Sequence, residues 1–228
     1  MATTTDLAPL NLRDHGAECF RGALSATLGD LRAALAGLPS EQAGIRIHRV
    51  AALRPFLASD GPIGSIAAGV LGAGSRAVRT ILFDKTEATN WSLAWHQDRT
   101  ICVWERVEVD GFGPWTTKGG MQHVAPPFDL LSRMVTLRVH LDDVPPTNAP
   151  LLIAPGSHRH GRVPESDVEE VVRRCGTYAC LAEAGDVWLY ATPILHASEA
   201  ATQRAHRRVL QVDYAAEALP GGLKWLGV

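Results

Sequence analysis

Hydrophobic residues recur every three or four positions in the first third of the chain. The stripe consists of Phe20, Leu24, Leu28, Leu31, Leu35 and Leu38. This period predicts one apolar face of a long helix, and Pro39 ends it because proline lacks a backbone N–H. Two shorter helices are predicted at Val50–Leu57 and from Gly61 to about Gly72, where Pro62 suits the first helical position.

From Arg79 onward the apolar positions alternate, which predicts β-strands. The candidate strands are Arg79–Lys85, Ser92–Asp98, Ile101–Val109, Met134–Leu141, Leu151–Ala154, Asp186–Tyr190, Ile194–Ser198 and Arg207–Tyr214. Glycine and proline clusters separate them. One helix is predicted between Pro164 and Gly176, since its acidic residues come first and its basic residues last, as the helix dipole favours.

About eight short strands after a helical region predict a mostly β fold with some helices. The expected architecture is a double-stranded β-helix, a jelly-roll or cupin-like barrel, with the N-terminal helices packed on one sheet. No repeat or linker divides the sequence. We therefore expect one domain over residues 1–228, with a helical part at 1–78 and a jelly-roll core at 79–216.

Composition narrows the classes of partner. The net charge is −2, and no run of lysine or arginine suggests a nucleic-acid surface. The four cysteines are scattered without a CxxC pair, which argues against a zinc ribbon or a thioredoxin-like site. The first nine residues lack a secretory pattern, and Ile63–Gly74 is too short to span a bilayer. These features predict a cytoplasmic protein with no membrane or nucleic-acid partner.

The most informative segment is Trp-His-Gln-Asp at 95–98. On a strand, residues two apart share a face, so His96 and Asp98 project together. His196 follows 100 residues after His96, late in the series of strands. Two histidines and one carboxylate form the facial triad of non-haem iron(II) oxygenases, which leaves coordination positions open, whereas structural zinc sites are closed.

Arg207 lies eleven residues after His196, at the start of a predicted strand. A guanidinium binds a carboxylate through two parallel hydrogen bonds. A dicarboxylate co-substrate could therefore chelate the metal at one end and meet Arg207 at the other. Taken alone, an HxD motif is more often structural, and a lone arginine is more often solvated; the combination favours a functional site.

These motifs resemble those of the phytanoyl-CoA dioxygenase family, which is part of the superfamily of iron(II)- and 2-oxoglutarate-dependent oxygenases. The resemblance runs from about residue 79 to 214. It rests on His-Gln-Asp at 96–98, on Asn-Ala-Pro-Leu at 148–151, on the turn Pro-Gly-Ser-His at 155–158, and on His196 followed by Arg207. The family usually has glycine after the asparagine, where this chain has Ala149.

The resemblance implies that His96, Asp98 and His196 bind iron(II) and that Arg207 binds the distal carboxylate of 2-oxoglutarate. It implies a reaction in which O2 and 2-oxoglutarate are consumed, succinate and CO2 are released, and a C–H bond of a substrate is oxidised. Hydroxylation is expected, with oxidative cyclisation or desaturation as alternatives that use the same ligands. Related halogenases lack the carboxylate ligand, so halogenation is not expected.

Two further residues take roles from the resemblance alone. The hydroxyl of Thr136 matches a position that often assists at the same distal carboxylate, and Lys85 matches a lysine frequent upstream of the HxD motif. The alternation within Met134–Leu141 places Thr136, Arg138 and His140 on one face. That polar face meets either solvent or the lumen of the barrel.

The segment 109–127 is long and rich in glycine and proline. We expect a loop that covers the substrate, or else an ordered surface excursion packed by its aromatic residues. The expected substrate is a small molecule, such as a specialised metabolite. The competing hypotheses are a cupin-type metal enzyme that does not use 2-oxoglutarate, for which Arg207 would have no purpose, and a non-catalytic binding barrel.

Overall fold

The computed structural model describes residues 9–39, 42–86, 89–203 and 206–228. The first eight residues, which carry most of the segment judged to lack a secretory pattern, lie outside the described residues. The α-helices are α1 (Leu12–His15), α2 (Leu28–Leu35), α3 (Arg54–Leu57), α4 (Gly64–Leu71), α5 (Phe128–Ser132) and α6 (Val168–Cys175). In this part of the chain no helix is both long enough and apolar enough to cross a bilayer.

Thirteen strands of the described residues form two main sheets and a small third sheet. They are β1 (Ala17–Phe20), β2 (Gly44–Ile47), β3 (Arg76–Lys85), β4 (Leu93–His96), β5 (Ile101–Val103), β6 (Trp115–Lys118), β7 (Met121–Val124), β8 (Val135–His140), β9 (Leu151–Ile153), β10 (Tyr178–Cys180), β11 (Val187–Ala191), β12 (His196–Ser198) and β13 (Arg207–Ala215). The large sheet has the order β1-β11-β8-β13-β3-β2, the second sheet has the order β10-β9-β12-β4, and β5-β7-β6 forms a small third sheet. The jelly-roll fold expected from the sequence is confirmed.

The large sheet is apolar on one face and polar on the other. On β8, Leu137 and Val139 are fully buried and pack with Leu31 of α2 and with Leu53, which directly precedes α3. Each such aliphatic side chain contributes about 1.5–3 kcal/mol when it is removed from water. The N-terminal helices therefore cover one face of this sheet, and its polar face turns towards the second sheet.

The expected N-terminal helix is wrong in its first half. Phe20 belongs to β1, which pairs antiparallel with β11 in the register Phe20↔Val187, and α2 begins only at Leu28. Pairing with the edge of the sheet satisfies the backbone of this segment and overrides the helical period of its side chains. Strand β2 also comes from the part expected to be helical, and it pairs with β3 at the other edge.

The segment 109–127 is more ordered than a loop. Strands β6 and β7 form a hairpin whose turn residues, Gly119 and Gly120, have φ of 57° and 76°. A two-residue turn with positive φ at both positions matches the twist of a hairpin, and glycine adopts it without strain. The strand expected at Ile101–Val109 ends at Val103, because the next amide, that of Trp104, donates to the carbonyl of Lys224 near the C-terminus.

Candidate active site

The three candidate metal ligands meet at one point of the second sheet. His96 ends β4 and His196 begins β12, and the antiparallel register sets these two residues directly opposite each other. Their ring centroids are 4.3 Å apart. One ligand atom each from His96, Asp98 and His196 lies within 4.8 Å of the other two. The strand pairing thus brings together two residues that are 100 positions apart in the sequence.

Both histidine rings are oriented by backbone carbonyls. The Nδ1 of His96 lies 2.8 Å from the carbonyl oxygen of Ala94, and the Nδ1 of His196 lies 3.0 Å from that of Ile194. A carbonyl only accepts hydrogen bonds, so each Nδ1 carries the proton and each Nε2 keeps its lone pair for a metal. Burial lowers the pKa of His196 to about 4, although Asp98 acts against it, so this ring is neutral at pH 7.

Gln97, the middle residue of the motif, fixes the end of β4 from behind. Its side chain is buried, and its Nε2 donates to the carbonyls of Gly161 and Pro193 at 3.0 and 2.8 Å. Its Oε1 accepts from the amide of Val163 at 2.9 Å. The side chain points away from the two ligands, as strand alternation predicts, and it ties the metal-binding strand to two neighbouring loops.

Asp98 is held in its charged form. Its Oδ2 accepts a hydrogen bond from Nη2 of Arg79 at 3.0 Å. Burial alone would raise the pKa of Asp98, but the charges of Arg79, His196 and His96 outweigh it and lower the pKa to about 2. No described residue donates a hydrogen bond to Oδ1 of Asp98, so this oxygen remains for a metal ion. The carboxylate is therefore a ready anionic ligand.

A cavity of about 450 Å³ opens beside the triad, between the two main sheets. This volume lies in the range of about 300–1,000 Å³ that small-molecule sites occupy. Seven basic side chains line it, and Asp98 is the one acidic side chain among its described lining residues. The cavity is thus strongly positive in a chain whose formal net charge is −2, which favours anionic ligands.

Three of these basic residues, Lys85, Arg138 and Arg207, form a cluster on the large sheet that we call the cation cluster. Lys85 and Arg207 are each 2 % exposed and lie opposite each other in the register of β3 and β13. Burial, followed by the charges of Arg207 and Arg138, lowers the pKa of Lys85 to about 8. Burial and the charge of Arg138 lower the pKa of Arg207 to about 9. A bound anion would offset both the burial of these charges and the repulsion between them.

Unpartnered buried nitrogens mark the place where an anion fits. The Nε atoms of Arg207 and Arg138 and both ring nitrogens of His140 are buried without a hydrogen-bond partner. The pKa of His140 is lowered to about 3, by burial and then by Arg138 and Arg207, so its ring is neutral. A buried donor without a partner costs about 1–3 kcal/mol. A carboxylate between these side chains would accept hydrogen bonds from the unpartnered nitrogens. The pocket therefore fits one carboxylate end of 2-oxoglutarate.

Lys85 contributes its charge to the cluster but has no free donor. Its ammonium group donates to the carbonyls of Trp91 and Glu199, at 2.6 and 3.0 Å, and to the hydroxyl of Ser198 at 3.2 Å. These three contacts use all of its N–H groups. Lys85 therefore lines the cavity, with its ammonium group fully used by contacts within the chain.

Thr136 is not brought to Arg207. Its hydroxyl donates to Oδ1 of Asp213 at 3.1 Å and lies 3.1 Å from the hydroxyl of Thr192. Thr136 pairs with Asp213 in the register of β8 and β13, six residues along β13 from Arg207. Six residues of strand span about 20 Å. The geometry therefore gives Thr136 a place at Asp213, and Arg138 is the β8 residue that reaches the cation cluster.

Two residues that the structure places at the candidate site, Arg138 and Arg79, were not assigned from the sequence. The alternation of β8 placed Arg138 on the same face as Thr136 and His140. This pattern did not decide whether that face meets the lumen of the barrel or solvent. Arg79 gave no signal beyond marking the start of a predicted strand. Its contact with Asp98 depends on how β3 lies against the end of β4, which no local pattern encodes.

A jelly-roll barrel that carries two histidines and one carboxylate beside a cationic cavity has the features of a non-haem iron oxygenase. The profile of the phytanoyl-CoA dioxygenase (PhyH) family matches residues 62–209, which is more than half of the chain. The chain therefore belongs to this family of non-haem iron- and 2-oxoglutarate-dependent dioxygenases. No curated protein matches the chain by sequence.

Solved structures share the fold at low sequence identity. EctD from S. alaskensis, in its apo form, aligns over 98 % of this chain and 83 % of its own, with a TM-score of 0.65 and 22 % identity. HygX from Streptomyces hygroscopicus, with nickel and 2-oxoglutarate bound, covers 90 % of this chain and 84 % of its own at TM-score 0.60 and 17 % identity. SnoN, a non-haem α-ketoglutarate-dependent epimerase from nogalamycin biosynthesis, covers 90 % and 77 % at TM-score 0.62 and 18 % identity.

Proposed function

We propose that this protein hydroxylates a C–H bond of a small-molecule substrate and uses 2-oxoglutarate and O2 as co-substrates. One oxygen atom enters the substrate as a hydroxyl group, and the other enters the carboxylate of succinate as CO2 leaves. The observation that carries the proposal is the pairing, in one cavity, of the His96–Asp98–His196 triad with the cation cluster. A metal site alone would not need buried cations without an anionic partner.

Iron(II) bound by the triad supplies the oxidation chemistry through its open coordination positions. The Nε2 atoms of His96 and His196 and the Oδ1 atom of Asp98 would hold the metal. At the other end of the cavity, Arg207 and Arg138 offer unpartnered N–H groups to the distal carboxylate of 2-oxoglutarate. Arg207 is itself oriented, because its Nη1 donates to the carbonyl of Ala149. These residues would therefore orient the keto acid in the cavity.

A small-molecule substrate is supported by the size of the cavity and by one structural neighbour. A structure of HygX holds nickel, 2-oxoglutarate and hygromycin B together. We propose a similarly small substrate here, such as a specialised metabolite. The carboxylate ligand, Asp98, favours hydroxylation over halogenation, whereas oxidative cyclisation and desaturation would use the same ligands. A cupin-type enzyme without 2-oxoglutarate would leave the cation cluster without a purpose.

The test is the absorption spectrum of the protein with Fe(II) and 2-oxoglutarate under anaerobic conditions. Charge transfer from iron to a chelating keto acid gives a weak band at about 500–530 nm. We expect the band in the wild type, its loss in His96→Ala, and a much higher 2-oxoglutarate requirement in Arg207→Ala. Arg208→Ala is the matched control, since Arg208 pairs with Asp142 on the other face of β13. Stoichiometric iron without a band would overturn the proposal.

A further inference from the structure

The cavity has a second cationic region that neither the metal nor the co-substrate accounts for. It is formed by Arg46 of β2 and Lys118 at the end of β6, and both line the cavity. Arg46 pairs with Ile81 in the register of β2 and β3, and β3 continues from there past Phe83 to Lys85. Two apolar lining residues of β3, Ile81 and Phe83, thus separate this region from the cation cluster.

The other basic residues of the cavity already have a partner. Arg79 binds two carboxylates, those of Asp98 and Asp213. Arg99 donates to the carbonyl of Val163 at 2.5 Å and lies 3.5 Å from a carboxylate oxygen of Glu165. The cation cluster is assigned to 2-oxoglutarate. Of the seven basic side chains that line the cavity, Arg46 and Lys118 are the two left without an assigned partner.

Neither remaining cation has a partner among the described residues. Arg46 and Lys118 take part in no hydrogen bond or ion pair with the described part of the chain, and Nε of Arg46 is a buried nitrogen without a partner. The charges of Arg46 and Lys118 also act on a neighbouring buried residue, His123. Burial first, and then the charges of Arg79, Lys118 and Arg46, lowers the pKa of buried His123 to about 4. A buried guanidinium nitrogen without an acceptor is costly unless a ligand satisfies it.

The β6–β7 hairpin brings the two cations to the same end of the cavity. Its turn packs on Arg46, since a Cβ built on Gly119 would lie 3.5 Å from Cδ of that side chain. Lys118 directly precedes this turn and is exposed at the cavity mouth. The hairpin therefore forms a wall of the cavity, with a charged group at its tip.

We propose that Arg46 and Lys118 bind an anionic group of the substrate, a carboxylate, phosphate or sulfate, and so make this protein an oxygenase of anionic small molecules. The anionic group lies at the hairpin end of the cavity, and the apolar side chains of Ile81 and Phe83 contact the body of the substrate. Arginine supplies a planar fork of donors and lysine a mobile point charge, a combination suited to an oxyanion. This inference rests on the proposed function, because it assigns the cation cluster to 2-oxoglutarate.

The test uses benzenesulfonate as the probe, with methyl phenyl sulfone as its neutral analogue. The protein is loaded with Mn(II) and saturated with 2-oxoglutarate, which fills the cation cluster, and the relaxation of the probe's ring protons reports binding close to the paramagnetic metal. We expect enhanced relaxation for the sulfonate and little for the sulfone. Arg46→Gln and Lys118→Gln should each weaken sulfonate binding about tenfold, as the loss of one charge-assisted contact predicts. Lys224→Gln, which removes an exposed lysine outside the cavity, is the control.

Equal sulfonate binding in the wild type and in both variants would overturn the proposal, as would equal binding of the sulfone. Lys118 is exposed, so its variant is not expected to misfold. The Fe(II)–2-oxoglutarate band should persist in both variants, since neither residue belongs to the co-substrate site. If the wild type lacks that band, the proposed function fails. Saturation-transfer NMR of the metal-free protein with the same probe and variants then tests the anion site independently.

Discussion

Arg79 donates to Oδ2 of Asp98 from Nη2 at 3.0 Å and thereby fixes one oxygen of this carboxylate. Its Nε donates to Asp213 of β13 at 2.5 Å. The guanidinium, which is about one-tenth exposed, thus links the candidate metal ligand to the large sheet. A partner of this kind orients a ligand and limits the positions that its free oxygen can take.

Arg79→Lys should weaken metal binding about tenfold, at the lower end of the range for residues that support a ligand. Lysine keeps the charge but loses the fork that contacts two carboxylates at once. The measurement is the Mn(II) dissociation constant, obtained by competition with a chelator of known affinity. Arg76→Lys, on the exposed start of the same strand, is the control. Undiminished affinity in Arg79→Lys would show that Asp98 is positioned without this contact.

Thr136→Val should lower the free energy of unfolding and leave the affinity for 2-oxoglutarate unchanged. The substitution removes the hydroxyl that donates to buried Asp213, and an unsatisfied buried acceptor costs about 1–3 kcal/mol. Denaturant unfolding measures the loss of stability. Titration of the charge-transfer band at about 500–530 nm measures the affinity for 2-oxoglutarate. A large rise in the dissociation constant of 2-oxoglutarate would restore the role that the family resemblance implied for Thr136.

The strands of the barrel core were predictable because each buries one face. Alternation located all eight expected strands from residue 79 onward, although their ends differ by up to six residues, as at Val103. Strands β1, β2, β6, β7 and β10 were not predicted. Strands β1 and β2 lie at the edges of the large sheet and depend on pairing with β11 and β3. In particular, the apolar residues of the segment 17–20 lie at positions that also suit a helix. Only pairing with β11 determines that this segment is a strand.

The candidate ligands were predictable for a different reason. Strand alternation predicted that His96 and Asp98 share a face, although β4 itself ends at His96. Residue type and position in the chain pointed to His196 and Arg207, and the resemblance of motifs supported both. The partners that tune them were not predictable, since they come from the register between distant strands. Arg79 of β3 reaches Asp98 just beyond the end of β4. The pairing of β8 with β13 sets Thr136 opposite Asp213, away from Arg207.

Ala149→Gly should stabilise the protein by about 0.5–1 kcal/mol and raise its Tm by roughly 1–3 °C. Ala149 has φ of 51°, the left-handed region in which a Cβ is strained, at the position where the family usually has glycine. Glycine also increases the conformational entropy of the unfolded chain, which reduces the gain in stability. Thermal unfolding measures the net gain. Ala154→Gly, at a buried site with ordinary φ, should instead lower the Tm, and equal effects at both positions would contradict the strain argument.

The affinity for 2-oxoglutarate should fall as the pH rises through the pKa of Lys85. Burial and the neighbouring arginines lower that pKa to about 8, so the ammonium is charged at pH 7 and loses its proton under mildly alkaline conditions. A bound dicarboxylate favours the charged form, so binding above pH 8 must take up a proton. Affinity is therefore full below about pH 8 and declines above it.

Calorimetric titration of 2-oxoglutarate into Mn(II)-loaded protein, at about pH 7 and about pH 9, measures this dependence, and buffers of different ionisation enthalpy reveal the proton uptake. Lys85→Met should bind more weakly at the lower pH and lose the part of the pH dependence that comes from Lys85, whose pKa is about 8; the part that remains near pH 9 comes from Arg207, whose pKa is lowered to about 9. The variant also loses three hydrogen bonds to the chain around Trp91 and Ser198, so its folding is checked first by thermal unfolding. A wild-type affinity that does not change between the two pH values would contradict the proposed action of Lys85 through its charge.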